Sequence, residues 1–335
     1  MINFASYIPF LENLLKILDE RSSEILKRRV GIFGKKESLE SIGKDFGITR
    51  ERVRQIENNA LKKIRESKKF IDIKKPITYV EEFLEHNGKL KREDILFKTF
   101  TQKEEEKPYF HLLLKIGENF FYSPNSAEFY PFWQSHQEIK NQLKRIISLL
   151  EEFLKKKKSP LPKKDFVNES KEFLKKRLKK DLKEEVLLSF YEVSKKIEEN
   201  PFGEVGLIFW KEINPKTIRE KAYLLLRKKK EPLHFRTLAE HIEEVFQRRT
   251  NYESLHNELI KDPRFVLVGR GIYALKEWGF KEGTVKDLIE DLLKEGPKTK
   301  EEIIAKIKEQ RFVKESTIIL NLSLYFKKKD GKYTL

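Results

Sequence analysis

Glu37–Ser67 reads ESLESIGKDFGITRERVRQIENNALKKIRES, and its spacing decides the local fold. Ser38 is placed to cap a first helix, with Glu40 in its first turn. Leu39, Ile42 and Phe46 form the inward face of that helix. Gly43 has no side chain where the next helix must come close. Gly47 supplies the left-handed residue that ends the first helix. Ile48 packs into the turn, and Thr49 caps a second helix. In that helix Val53, Ile56, Ala60, Leu61 and Ile64 recur mainly three and four apart, a buried stripe. The stretch is expected to be a helix-turn-helix.

Arg50, Glu51, Arg54, Gln55 and Asn58 remain for the outward face of the second helix. Arginine can fork onto guanine, glutamine can pair with adenine, and glutamate can accept from cytosine. Their place near the helix N-terminus is where a recognition helix meets base edges. Arg52, Lys62, Lys63 and Arg65 extend the positive surface toward phosphates. The competing reading is a solvated charged face on an ordinary helical hairpin. Caps, glycine placement and polar-face chemistry all agree on the recognition helix. The expected DNA-binding set is therefore Thr49, Arg50, Glu51, Arg52, Arg54, Gln55, Asn58, Lys62 and Lys63.

Before this motif, residues 8–32 read as one or two amphipathic helices with Phe10, Leu14, Leu15 and Leu18 inward. After it, Lys68–Pro76 is basic, ends in proline and reads as a linker. From Ile77 to Trp133 the pattern is helix, helix, helix, hairpin. Lys91–Phe97 is the expected second helix, and Ile116–Tyr122 two strands around Gly117-Glu118-Asn119. Ile139–Leu154 is a strong helix, broken by the prolines at 160 and 162. Similar units follow. EVGLIFW (204–210), DPRFVLVGRGIYALKEW (262–278) and YFKKKDGKYTL (325–335) each hold an apolar or aromatic strand and a glycine turn. Three helices and a hairpin make the winged-helix pattern. The alternative, hairpins that only close small cores, stays open for the first two units. The expected fold class is mainly α with small β-hairpin wings, in tandem helix-turn-helix and winged-helix domains. The expected boundaries are 1–70, 77–135, 139–214, 215–279 and 280–335.

The composition is compatible with this. Hydrophobic residues make up 39% and charged residues 37%, enough for small cores under wide solvated surfaces. The formal net charge of +17 favours polyanionic partners, nucleic acid first, although lysine is frequent throughout. Cysteine is absent, which excludes disulfides, thiolate catalysis and cysteine-bound zinc. His234 and His241 lack a carboxylate motif between them that would make a metal site. No cofactor, metal or small-molecule substrate is expected. The N-terminal stretch lacks the features of a signal peptide, and no apolar run reaches the ~20 residues of a membrane span. The expected location is the cytoplasm, on the bacterial nucleoid.

The segment SLESIGKDFGITRERVRQIENNALKKIR resembles region 4 of sigma-70-class sigma factors, through TRERVRQIE (Thr49–Glu57) and the tail from Ala60 to Arg65. The resemblance implies promoter reading of the −35 element by Arg50, Glu51, Arg54 and Gln55. It also implies docking on the RNA polymerase beta flap. Only about 37 residues precede the motif, too few for the promoter-melting domain of a complete sigma factor, so independent promoter opening is not expected. A second resemblance covers Pro215–Trp278. Ala222-Tyr223, Leu225, Pro232-Leu233-His234-Phe235, Leu238-Ala239, Ile242 and the hairpin from Phe265 to Trp278 look like the HARE winged-helix domain, which also forms the folded part of the polymerase delta subunit. There Phe265, Tyr273, Leu275 and Trp278 are expected in the core. Together these imply a non-enzymatic protein of transcription initiation that binds double-stranded promoter DNA and contacts RNA polymerase. A delta-like accessory factor with little sequence reading is the alternative, and a nuclease-associated DNA-binding subunit a remote one.

Overall fold

A computed structural model describes residues 3–335. Four helices open it: α1 (Ile8–Leu15), α2 (Glu20–Val30), α3 (Leu39–Asp45) and α4 (Arg50–Glu66). The α2 helix starts where the Asp19 carboxylate accepts from the Ser22 N–H at 2.9 Å. It stops at Gly31, whose φ of +91° is left-handed. In α1 the buried residues are Leu11, Leu14 and Leu15, followed by Leu18. Phe10 was expected among them and is instead 41% exposed. The leucines at 11, 14, 15 and 18 share one helical face, and Phe10 falls beside it.

The Lys68–Pro76 stretch is not a linker. A short 3-10 turn at Lys68–Phe70 leads directly into α5 (Ile71–His86), which runs through Pro76. Pro76 cannot donate the hydrogen bond expected of a helix interior. Ile73, Pro76, Ile77, Val80 and Leu84 nevertheless form a buried stripe at spacings of three and four, and that burial outweighs the missing bond.

From α5 onward one order of elements, helix, short strand, two helices, two strands, recurs three times among the described residues, and a fourth time without the short strand. The first is α5, β1 (Leu90–Arg92), α6 (Glu93–Phe100), α7 (Lys107–Ile116), β2 (Phe121–Ser123) and β3 (Phe132–Gln134). The second is α8 (Ile139–Lys157), β4 (Leu161–Pro162), α9 (Lys163–Leu178), α10 (Glu184–Val193), β5 (Ile197–Glu199) and β6 (Glu204–Leu207). The third is α11 (Ile218–Lys229), β7 (Leu233–His234), α12 (Phe235–Phe246), α13 (Tyr252–Lys261), β8 (Phe265–Gly269) and β9 (Ile272–Leu275). The fourth is α14 (Val285–Lys294), α15 (Lys300–Gln310), α16 (Glu315–Tyr325), β10 (Lys327–Lys329) and β11 (Lys332–Thr334). In the first three the early strand pairs with the last one, giving sheets β1-β3-β2, β4-β6-β5 and β7-β9-β8. In the fourth a single antiparallel bridge, Lys298 to Tyr333, stands where the early strand would be. The molecule is thus mainly helical with small antiparallel hairpins.

Three local expectations change. Lys91 and Arg92 lie in β1, so α6 begins only at Glu93. Ile116 ends α7 instead of starting a strand, because its side chain is fully buried with Leu112, Leu113 and Leu114. Within 116–122 only Phe121 and Tyr122 lie in a strand, and they pair with Gln134 and Trp133. The strand read in EVGLIFW also stops early, at Leu207, and Phe209 is exposed in a turn.

The chain divides into two compact units. One runs to Glu198 and includes Val205–Ile208; the other holds Glu199–Glu204 and Phe209–Leu335. In the first, residues from Phe4 to Trp133 share one core. Phe110 lies within it, with ring centroids 5.2 Å from Phe4, 5.3 Å from Phe97 and 5.1 Å from Phe100. In the second, one core gathers Leu225, Leu238, Ile242, Phe265, Tyr273 and Leu275, with Trp278 partly buried against it. Another gathers Leu288, Ile289, Ile303, Ile307, Ile318 and Leu322.

Candidate nucleic-acid interface

The α3–α4 pair is built as a rigid corner. The Ser38 hydroxyl accepts from the Ser41 N–H at 3.0 Å, and the Thr49 hydroxyl accepts from the Arg52 N–H at 3.2 Å. Gly47 has φ +64°. The Ile48 N–H closes the turn onto the Gly43 carbonyl at 2.9 Å. A Cβ on Gly43 would stand 2.7 Å from the Ile48 oxygen, so the close approach requires glycine there. Ile25, Ile42 and Val53 are buried beneath the corner, with Leu39, Phe46, Ile48 and Ile56 packed on them. Arg28 of α2 ties both ends of α3, bonding to Glu37 at 2.6 and 2.8 Å and to Asp45. The Arg28 guanidinium holds the Glu37 carboxylate below its ordinary range. Thr49→Ala is expected to lower stability by about 1 kcal/mol, the usual size of a lost N-cap. Chemical denaturation measures it, and an unchanged midpoint would mean the cap is not used.

α4 then fixes where each candidate residue points. Val53, Glu57, Ala60, Leu61 and Ile64 are buried. Thr49, Arg50, Glu51, Arg52, Arg54, Gln55, Asn58, Lys62 and Lys63 are all exposed. Helical spacing puts Glu51, Gln55, Asn58 and Lys62 along one crest, at i, i+4, i+7 and i+11. Arg50 and Arg54 flank the crest on one side; Arg52, Asn59 and Lys63 lie on the other. The nine candidates therefore form a broad face, and Lys62 stands about 16 Å along the axis from Glu51. Asn59, exposed among them, was not anticipated.

The crest is internally ordered. Arg54 forks onto Glu51 with Nε at 2.9 Å and Nη2 at 2.6 Å. This bond holds the Glu51 carboxylate below its ordinary range and keeps it an acceptor. Arg52 donates to the Gln55 carbonyl oxygen at 3.2 Å. Arg50 and Asn58 have no hydrogen bond or ion pair among the described residues. An acceptor carboxylate beside a guanidinium, an amide and a free arginine is the donor and acceptor variety that base edges present.

Behind this face lies a group that sequence reasoning missed. Glu57 is buried between Arg29 of α2, 3.1 Å away, and Lys115 of α7, 2.5 Å away. Burial pushes its carboxyl upward, but Lys115 and Arg29 outweigh that and hold it below the ordinary glutamate range. At the far end of α4, Arg65 donates to the carbonyls of Ile116 at 2.7 Å and Lys115 at 3.0 Å. The candidate face is thus carried on a helix clamped from behind. Among the described residues no group of three or more His, Asp or Glu is arranged to hold a metal ion. No helix is long and apolar enough to cross a membrane.

No solved structure matches the chain. A segment of 56 residues is 50% identical to the RNA polymerase sigma factor SigA of a Bacillus species, covering 16% of this chain and 15% of that relative. Residues 14–66, which hold α2, α3 and α4 together with the end of α1, match the family model of sigma-70, region 4.

Proposed function

We propose that this chain is a sigma-like, DNA-binding protein of transcription initiation, which places α4 in the major groove of promoter DNA. The observation that carries this is the solvent-facing edge of Arg50, Glu51, Arg54, Gln55 and Asn58 on a glycine-hinged corner, inside the segment that matches sigma-70, region 4. Arg50, Arg54 and Gln55 read base edges, Glu51 accepts and orients Arg54, and Thr49, Arg52, Lys62 and Lys63 hold phosphates. By the same likeness the module contacts RNA polymerase, at the beta flap. The four repeated units are proposed as winged helices, the third of them, 215–279, of the HARE type, and the module boundaries as 1–70, 77–135, 139–214, 215–279 and 280–335.

The repeats favour a second emphasis. In a winged helix the third helix reads DNA. Here α7 buries Phe110, His111, Leu112, Leu113, Leu114 and Ile116, and α10 buries Leu187, Ser189, Phe190, Tyr191 and Val193. Neither carries an arginine, glutamine or asparagine to enter a groove. Base reading is therefore assigned to α4 and not to the first two repeats, which are scaffold or protein-facing. This supports the accessory-factor reading, in which polymerase contact dominates.

Selection of duplexes from a random pool, followed by binding with Arg50→Ala, separates the two. On the selected duplex Arg50→Ala is expected to cost ~1–3 kcal/mol and to relax the preference at one position. Lys62→Ala is expected to weaken all duplexes alike and to flatten the salt dependence. No enriched sequence, together with a polymerase complex that survives high salt, would leave only the accessory factor.

A further inference from the structure

The fourth repeat differs from the others in what its third helix shows to solvent. α16, ESTIILNLSLY, has no lysine, arginine, histidine or glutamine, in a chain with 71 lysines and arginines. Ile318 and Leu322 are buried in the local core. On the other side, beside the small polar Ser316, Thr317 and Ser323, Leu320 is 55% exposed, Leu324 62% and Tyr325 54%. Leu320 and Leu324 are one turn apart and Tyr325 adjoins them. Large apolar side chains exposed together on a helix that carries no base mark an interface.

The charge around this face is mainly positive. In the hairpin that follows, Lys327, Lys328, Lys329 and Lys332 are exposed and have no ion pair among the described residues. Lys286 of α14 has no carboxylate partner either and lies 4.6 Å from the centre of the Tyr325 ring. Four other lysines of the same repeat are matched, Lys294 with Asp291, Lys298 with Glu295, Lys306 with Glu309, and Lys308 with Glu315. The one carboxylate of the hairpin, Asp330, sits in its turn.

We propose that α16 and the β10–β11 hairpin form a docking surface for an acidic amphipathic helix of a partner protein. Leu320, Leu324 and Tyr325 take its apolar stripe, while Lys286 and the hairpin lysines take the flanking carboxylates. Duplex DNA fits less well, because the helix that would face the groove offers it no basic side chain. A second copy fits less well, because it would set the same lysines against each other. This inference is independent of α4.

The test uses the full chain and fluorescein-labelled peptides roughly four turns long. Their leucines stand at i, i+4 and i+7 on an aspartate and glutamate background, and a scrambled peptide of the same composition serves as control. Fluorescence anisotropy is expected to show the patterned peptide binding about tenfold tighter than the scrambled one. Leu320→Asp with Leu324→Asp, both at exposed positions, and separately Lys327→Glu with Lys328→Glu and Lys329→Glu, are each expected to weaken it by about tenfold or more. Equal binding of the two peptides, or none, overturns the proposal. So does a lysine variant that loses duplex DNA but keeps peptide, which would make the hairpin a nucleic-acid contact. A concentration-dependent dimer abolished by the leucine variant would assign the face to a second copy and overturn it equally.

Discussion

Replacing Gly43 with valine is expected to cost this chain about 3 kcal/mol and its duplex binding with it. The clash is with backbone. A Cβ at 43 would stand 2.7 Å from the Ile48 oxygen and 3.5 Å from both the Arg50 nitrogen and the Thr49 carbonyl carbon, and none of these can rotate away. Relief requires α4 to move outward, and that breaks the 2.9 Å bond from the Ile48 N–H to the Gly43 carbonyl and loosens the Thr49 cap. Valine adds the stiffness of a β-branched residue in a helix. Gly47→Asn is the matched control. It has φ +64° but open space around its Cβ position, and asparagine tolerates that backbone, so its cost is expected below about 1 kcal/mol. In a unit of this size 3 kcal/mol lowers the first thermal transition by about 10 °C. A Gly43→Val protein that melts within a degree or two of its parent would mean the two helices are not held by this turn.

Gly43 also shows why the first motif was legible. Caps, hinge and stripe are local properties, written within thirty residues, and each has a backbone reason. Elements fixed by distant partners were harder. β1, β4 and β7 are two or three residues long and exist because a hairpin strand far along the chain pairs with them. Lys91 in β1 consequently looked helical. Pro76 marked a break by every local rule, yet Ile73, Ile77, Val80 and Leu84 needed the shared core more than Asp72 needed its hydrogen bond. At the candidate interface all nine expected residues face solvent, since their placement follows from the buried stripe on the opposite side. Glu57 lies on that stripe, four residues after Val53 and three before Ala60. A carboxylate at an inward position does signal a buried cation partner. Nothing near it in sequence says that the cations are Arg29 and Lys115, 28 residues before and 58 after.

Glu57 carries the prediction with the clearest pH signature. Its side chain is 6% exposed, and its oxygens join three helices by binding Arg29 on α2 and Lys115 on α7. Glu57→Gln keeps the shape and removes the charge, leaving two cations that are each 21% exposed without their counter-ion. Removing one partner of a buried pair costs about 3–5 kcal/mol, and the residual exposure of the cations points to about 3. The sign of the pH dependence follows from the depressed pKa. A carboxylate held lower in the folded than in the unfolded chain contributes stability that is present above its unfolded value, near 4.5, and is lost as pH falls through the folded value. The gap between parent and Glu57→Gln is therefore expected to be widest near neutral pH and to shrink steadily below about pH 4.5. Other paired carboxylates, such as Glu37 and Asp262, titrate in both proteins and cancel in the difference. Urea denaturation of the two proteins between pH 7 and pH 3 measures it. A gap that stays constant across that range would show the charge of Glu57 to be irrelevant, and the clamp behind α4 would then rest on packing and on Arg65 alone.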